Sequence, residues 1–151
     1  MADHHVAQYN IGRIRKPLDH PDVAEFVAAL GPINDLAEAS PGFVWRLKDD
    51  DGQSSSFVSV EGIDDPMVIV NYSIWRDLES LGHFINKSGH VAYLRRRREW
   101  FESADEPTSV AWWIPAGTVP DVAEAHRRLL TFRERGSSVQ GWSLTRPEPE
   151  P

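Results

Sequence analysis

The stretch MVIVNYSIWRDLESLGHFINKSGHVAYLRRRREWFE, residues 67–102, decides the fold of this chain. It opens with an apolar run that ends at Trp75 and predicts a strand. Asp77 can cap a helix, and the apolar residues after it recur at helical spacing. Because cavities for small molecules are often built beside such strands and helices, the stretch also predicts a pocket. A Ser-Gly pair at residues 88–89 is expected to split the helix into segments 77–86 and 89–103.

The rest of the chain supplies further strands and helices in an alternating order. A helix over residues 23–39 is expected to be capped by Asp19 or Asp22 and interrupted at Gly31-Pro32. Residues 48–56 predict a polar loop, and residues 57–62 fit a short edge strand ambiguously. Further strands are predicted at residues 5–14, 43–47, 109–114 and 139–144, a helix at 122–135 ending at Gly136, and a disordered tail at 146–151.

This order predicts an α+β fold with a ferredoxin-like split βαβ repeat and an extra C-terminal helix. Residues 1–145 are expected to form a single domain, since 151 residues suit one core. In such a fold we expect one antiparallel sheet with helices on one face. The other face is apolar and needs a cover. We therefore predict a homodimer, in which a second subunit covers it.

Composition excludes several classes of function. The net charge of −7 argues against nucleic-acid binding, and the absence of cysteine excludes disulfides and thiolate chemistry. The first residues lack the pattern of a signal peptide, and no apolar run approaches about 20 residues, so we expect a cytoplasmic protein without membrane segments. The aspartates at 49–51 do not fit the spacing of a calcium loop, and no metal site is predicted.

Five segments resemble a bacterial family known as domain of unknown function 3291. The resemblance covers roughly residues 5–145 and is most specific at WWIPAG and RRREWFE. It implies a dimeric α+β barrel, a superfamily that includes antibiotic-biosynthesis monooxygenases, haem-degrading monooxygenases, muconolactone isomerases and stress-responsive barrels. The segments are FVWRL (43–47), SIWRDLESLGHFINKSGH (73–90), RRREWFE (96–102), WWIPAG (112–117) and EAHRRLLTFRERG (124–136).

Asn71 and Trp75 match a pattern of the cofactor-free monooxygenases in that superfamily, an asparagine on the third strand followed four residues later by a tryptophan. Side chains four apart on a strand share a face, so the amide and the indole are expected to line one wall. His83 and His90 are seven apart and would share a helix face if the helix were continuous. The alternatives are a structural asparagine, a core tryptophan and histidines without a catalytic role.

Four further residues are candidates for ligand contact. Arg97 lies seven residues after His90 and can anchor a carboxylate. Asn10 or its neighbour Tyr9 can line the cavity, because adjacent strand residues face opposite sides. Trp45 and Trp113 are candidates too, with core or interface packing as the alternative. The remaining arginines of the run are expected on a solvated face, where Glu99 and Glu102 pair with Arg95 and Arg98.

Together these features predict a small-molecule enzyme that needs no cofactor. We expect a monooxygenase or an isomerase/cyclase of secondary metabolism that acts on an aromatic or polyketide-like substrate. His90 or His83 would be the base, Asn71 the oxyanion donor and Trp75 the packing wall. A haem-binding or haem-degrading protein is one alternative, because a first-strand asparagine, a tryptophan and a helix histidine recur in haem-degrading members of that superfamily. The resemblance implies that Asn10, Trp75 and either His83 or His90 correspond to them. A non-catalytic dimer that binds a small apolar or aromatic ligand is the other.

Overall fold

The structure, a computed structural model, describes residues 3–48, 59–87, 90–118 and 120–151, without the side chains of Lys87, His90 and Tyr93. The predicted polar loop at 48–56 therefore lies almost wholly outside the described residues. Of the ambiguous strand at 57–62, the described part forms a turn.

Across these described ranges, four strands form one antiparallel sheet in the order β2-β3-β1-β4. This order confirms the predicted ferredoxin-like α+β fold. In β1, Asn10 lies opposite Asn71 of β3 and Ser109 of β4, which fixes the register of the sheet. The strands are β1 His4–Arg13, β2 Phe43–Arg46, β3 Val68–Trp75 and β4 Ser109–Pro115.

The helices fall close to their predicted positions. They are α1 Ala24–Ala39, α2 Leu78–Lys87, α3 His90–Arg95, α4 Arg97–Trp100 and α5 Val122–Arg135. Asp77 accepts a hydrogen bond from the backbone N–H of Ser80 at the start of α2, as predicted. The Asp121 carboxylate caps α5, and Gly136 follows its end with φ 78°.

Two predictions about the first helix are wrong. Neither predicted aspartate caps it: the ring of His20 accepts the N–H of Asp22 at a short 3-10 helix, Pro21–Val23, that leads into α1. The interruption at Gly31-Pro32 is absent as well, because α1 continues through both residues. Proline lacks an N–H, so the helix loses one main-chain bond there and continues on the strength of its packing.

Alternation along the strands gives the sheet two different faces. One face packs against α1 and α2 through residues such as Val6, Trp75 and Leu81. The opposite face packs against α5 through residues such as Tyr9, Trp112 and Leu129. The expectation that helices cover only one face is therefore wrong, since the chain's own C-terminal helix covers much of the second face. The homodimer stays a prediction, but it can no longer be argued from an uncovered face of the sheet.

The core on the α5 face contains a buried polar pair. The Tyr9 hydroxyl lies 3.0 Å from Nδ1 of His126, and both side chains are buried. Burial lowers the pKa of His126 below its ordinary value, and Arg133 nearby lowers it further. Burial also raises the pKa of Tyr9. Both shifts favour the neutral forms of the pair.

The C-terminal part, described over residues 120–151, forms no fifth strand. Within residues 139–144, which were predicted to be a strand, there are only isolated bridges, Ala111 with Trp142 and Ser138 with Gly141. The main chain of Trp142 still exchanges two hydrogen bonds of 2.8 Å with Ala111, which holds this segment beside β4. In the following tail, the carbonyl of Glu148 accepts the indole N–H of Trp113 at 2.7 Å.

None of the helices in the described part of the chain combines the length and the apolarity that crossing a bilayer requires.

Leu129 and Leu130 provide a matched test of the packing by α5. Leu129 is fully buried against the sheet, whereas Leu130, the next residue of the same helix, is 45% exposed. We expect Leu129→Ala to lower the free energy of unfolding by about 2–5 kcal/mol, because it leaves a cavity in a packed core. Leu130→Ala should change it by about 0.5 kcal/mol or less. Chemical denaturation measures both, and equal losses would contradict this packing.

Candidate functional site

A cavity of about 300 Å³ lies between the sheet and the helices α1 to α4. Its floor is formed by polar side chains of β1 and β3, and apolar side chains of α1 and α2 form much of its walls. The floor residues are Gln8, Asn10, Asn71 and Ser73, and the apolar wall includes Ile33, Ala37, Leu81, Phe84 and Ile85. A volume of this size suits a small ligand.

The floor is joined by hydrogen bonds that converge on Gln8. Its Nε2 donates to Oδ1 of Asn71 at 2.9 Å and to Oγ of Ser73 at 3.0 Å. Its Oε1 accepts from Nδ2 of Asn10 at 3.0 Å. Gln8 and Ser73 are buried, whereas Asn71 is exposed and Asn10 only partly buried. The cavity is therefore open to solvent at the end where the two asparagines pair.

Trp75 lines the same cavity as Asn71, as the spacing predicts. Its indole is fully buried, stacks on Phe84 with ring centroids 5.1 Å apart, and meets Phe43 edge to face at 5.6 Å. The indole N–H donates to Oγ of Ser73 at 2.9 Å. Trp75 thus forms a rigid wall whose only polar group is already hydrogen-bonded.

Two arginines bring positive charge to the cavity. Arg97, half-buried, lines it and also an outer groove beside Phe101, whose ring lies 5.2 Å from the guanidinium carbon. Burial lowers the pKa of Arg97, and among the described residues no carboxylate lies within ion-pair distance of it. The second arginine, Arg46, forms an ion pair with Glu38 at 2.9 Å. Arg97 therefore has a charge that a bound anion can pair with.

The arginine run does not form one continuous helix face. The helix is interrupted at Arg96, which pairs with Glu25 and Glu99, and α4 starts at the next residue. The predicted pairs of Glu99 with Arg95 and of Glu102 with Arg98 are wrong. Glu102 instead bonds Arg13 of β1 at 2.7 Å.

The two candidate histidines are not brought to the cavity by anything described. His83 is exposed and lines a separate groove with Arg76 and Asp77. The side chain of His90 lies outside the described residues, so its role stays a prediction. Among the described side chains no imidazole and no carboxylate lines the cavity. The described lining therefore offers no axial ligand for haem. Among all the described residues, no group of three His, Asp or Glu side chains suits a metal ion.

The two tryptophan candidates lie outside the cavity lining. Trp45 packs edge to face on Tyr72, with ring centroids 5.2 Å apart, on the α5 face of the sheet. Trp113 is on the cavity side of the sheet, but it packs on Trp142 at 5.8 Å. Tyr9 points to the α5 face, which leaves Asn10 as the member of that pair that lines the cavity.

Sequence reasoning missed Arg46 and two residues of the floor, Gln8 and Ser73. Gln8 lies two residues before Asn10 on β1, and Ser73 lies two residues after Asn71 on β3. This spacing was the available signal, because strand residues two apart face the same side.

Comparison with known proteins gives a family and a fold. The sequence profile of the family described as Domain of unknown function (DUF3291) matches residues 5–151, so the chain belongs to that family. No curated protein matches the chain.

Three solved structures resemble the fold at low identity. PA3566 from Pseudomonas aeruginosa has a TM-score of 0.51 at 9% identity and covers 78% of this chain and 99% of its own. A protein of unknown function from Nitrosomonas europaea has 0.49 at 16%, with coverage of 80% and 99%. A Streptomyces coelicolor monooxygenase from the gene ActVA-Orf6, solved with nanaomycin D, has 0.42 at 15%, with coverage of 79% and 95%. At these identities PA3566 supports the fold alone, and the two lower scores carry no argument.

Ser73 is the acceptor that the floor depends on. We expect Ser73→Ala to lower the free energy of unfolding by about 2–3 kcal/mol, because it removes the acceptor of both the Gln8 amide and the Trp75 indole. Ser137→Ala is the control, since Ser137 is exposed, and should change stability by about 0.5 kcal/mol or less. Thermal or chemical unfolding measures the difference, and a neutral Ser73→Ala would contradict the described floor.

Proposed function

We propose that this member of the domain of unknown function 3291 family is a small-molecule enzyme whose cavity holds an aromatic or polyketide-like substrate as an oxyanion. The observation that carries the proposal is the joint presence of Asn71, Trp75 and Arg97 around one cavity. An amide, an aromatic wall and a guanidinium without a carboxylate partner in the described chain together suit a planar ligand with an ionised oxygen.

The cavity supports this ligand class by shape and by charge. Its apolar walls, which include Phe84 and Leu81, suit a ring system, and its polar floor is confined to one side. Arg97 is already partly desolvated before any ligand binds, as the lowered pKa indicates. A phenolate or enolate beside it restores the lost interaction, so the ionised form of the ligand binds better than the neutral form.

The chemistry we propose is monooxygenase-like or that of an isomerase/cyclase. Both begin with loss of a proton from a carbon that is conjugated with a carbonyl group, directly or through an aromatic ring, which creates an enolate that Arg97 and Asn71 stabilise. In the oxygenase case O₂ is the oxidant: a CH₂ group becomes a carbonyl, one oxygen atom enters the product, and the other leaves as water with the two hydrogens. This chemistry needs a substrate whose own carbanion is stabilised.

The proton acceptor in this proposal is His90, as expected from the sequence. His83 is the weaker candidate, because its ring lies in a different groove from the Asn71 amide. The proposal also keeps the predicted homodimer and cytoplasmic location. Val44 on β2, an apolar side chain that is 44% exposed, is consistent with a partner surface. Light scattering of the purified protein measures the oligomeric state directly.

A binding experiment tests the role of Arg97. Lawsone is a hydroxynaphthoquinone that is an anion at neutral pH, and its methyl ether has the same rings without the charge. We expect Arg97→Gln to weaken lawsone binding by about tenfold or more, since one charge-assisted contact is lost, and to leave the ether nearly unaffected. Quenching of tryptophan fluorescence measures both. Arg98→Gln is the control, because Arg98 is the exposed neighbour. Equal effects of the two substitutions would count against an anionic ligand.

A turnover experiment tests the chemistry. Anthrone and O₂ give anthraquinone and water, and the absorbance of the product follows the rate. We expect Asn71→Ala to lower kcat by about 100-fold, as for loss of an oxyanion donor, and His90→Ala to lower it as well. His83→Ala is the control and should retain activity. If Asn71→Ala and His90→Ala both turn over anthrone like the parent protein, the proposed chemistry is wrong.

A further inference from the structure

We propose that Gln8 is a positioning residue that makes the floor of the cavity a hydrogen-bond donor, so that the site selects ligands with oxygen acceptors over ligands with donors. The selection of ligands rests on the proposed function, whereas the orientation of the floor does not. Gln8 acts through Asn71 and Ser73, both of which line the cavity.

The hydrogen bonds of Gln8 use both of its N–H groups within the floor. A carboxamide has two N–H donors on nitrogen and an acceptor oxygen. Its nitrogen donates to Asn71 at 2.9 Å and to Ser73 at 3.0 Å, and its oxygen accepts from Asn10 at 3.0 Å. Gln8 is only 7% exposed, so reversing its amide alone would set like groups against each other in its bonds with Asn71 and Asn10.

The bond from Gln8 fixes the orientation of the Asn71 amide. Because Oδ1 of Asn71 faces Gln8, the Nδ2 group on the other branch of the same planar amide faces away from Gln8. Among the described residues, none accepts a hydrogen bond from that Nδ2 group. Asn71 is exposed at the open end of the cavity, so its two N–H groups are available to a ligand.

Ser73 is set by a second, independent donor. The indole of Trp75 has an N–H and no acceptor, so the bond of 2.9 Å between Trp75 and Ser73 has one possible direction. With the Gln8 bond, Ser73 Oγ accepts twice, which fills both lone pairs. Its own hydrogen must therefore be donated elsewhere, and no acceptor for it lies among the described residues. The bond from the buried Trp75 indole therefore makes the Ser73 hydroxyl a donor toward the cavity.

The consequence is selectivity by polarity. Asn71 and Ser73 offer N–H and O–H groups beside the positive charge of Arg97. All three groups therefore favour a ligand that presents an acceptor oxygen. A ligand oxygen satisfies them, whereas a ligand donor that covers these N–H and O–H groups leaves them unpaired and is disfavoured. Gln8 therefore determines specificity through the orientation of Asn71 and Ser73.

The orientation of the floor can be tested without any ligand. Nitrogen–hydrogen correlation spectra of the intact chain resolve side-chain amides, and Gln8→Met and Asn71→Ala assign the two signals. We expect the N–H₂ protons of Gln8 to exchange with solvent about tenfold or more slowly than those of Asn71, because only the former are both hydrogen-bonded. If the Asn71 protons exchange as slowly as the Gln8 protons, the proposed orientation is overturned.

Ligand selectivity provides the second arm. Gln8→Glu replaces the N–H₂ group by an acceptor, so Asn71 must turn its N–H₂ toward the introduced carboxylate and present oxygen to the cavity. We expect the ratio of the affinity for quinoline, a neutral acceptor, to that for indole, a neutral donor, to fall by about tenfold or more. Gln140→Glu adds the same charge at an exposed position and should leave the ratio unchanged.

The outcomes separate this inference from the proposed function. An unchanged ratio in folded Gln8→Glu would overturn the inference while the proposed function stands. Slow exchange at Gln8 in a protein that binds neither lawsone nor quinoline would support the orientation of the floor and count against the proposed function alone. Thermal unfolding of each variant establishes that it is folded.

Discussion

The alternation of side chains along β1 is the constraint on which the rest of the structure depends. This strand is paired on both sides, with β3 and with β4, so each of its residues is held in a fixed register. Tyr9 points into the core beneath α5, while its neighbours Gln8 and Asn10 point into the cavity. A slip of one residue would place two amides in an apolar core and a tyrosine in the polar floor. The fold and the site are therefore specified by the same strand.

The polar side chains of the floor can be buried because nearly all of their buried polar groups are hydrogen-bonded. Gln8 and Ser73 are each 7% exposed, and the bonds among Gln8, Ser73 and Trp75 join them into one unit. Arg97 is different, since it is half-buried without a carboxylate partner in the described chain. A fold optimised only for stability gains nothing from such a charge. Its position at the junction of cavity and outer groove is a reason to regard it as a binding group.

Strongly periodic elements could be predicted from the sequence, and long-range pairings could not. The bounds of α5 and the shared wall of Asn71 and Trp75 follow from local spacing. The continuation of α1 through Pro32 was missed because packing on the sheet overrides a local helix breaker. Gln8 was missed because its significance lies in partners 63 and 65 residues away in the chain. The separation of His83 from the cavity depends on how α2 is rotated against the sheet, which periodicity alone leaves open.

The arginine run illustrates why identical neighbours can have unlike roles. A continuous helix would carry residues 95–98 around its surface by about 100° per residue and leave most of them in solvent. Arg96 instead lies outside both helices, with φ −94° and ψ 2°, and its pairs with Glu25 and Glu99 tie this break to α1 and α4. Directly after the break, Arg97 lines the cavity, whereas Arg98 is exposed. The ion pairs of Arg96 are on the surface and contribute little stability by themselves. The break that they join to α1 and α4 directly precedes Arg97, so neighbouring arginines of one run divide between ion pairing and the cavity.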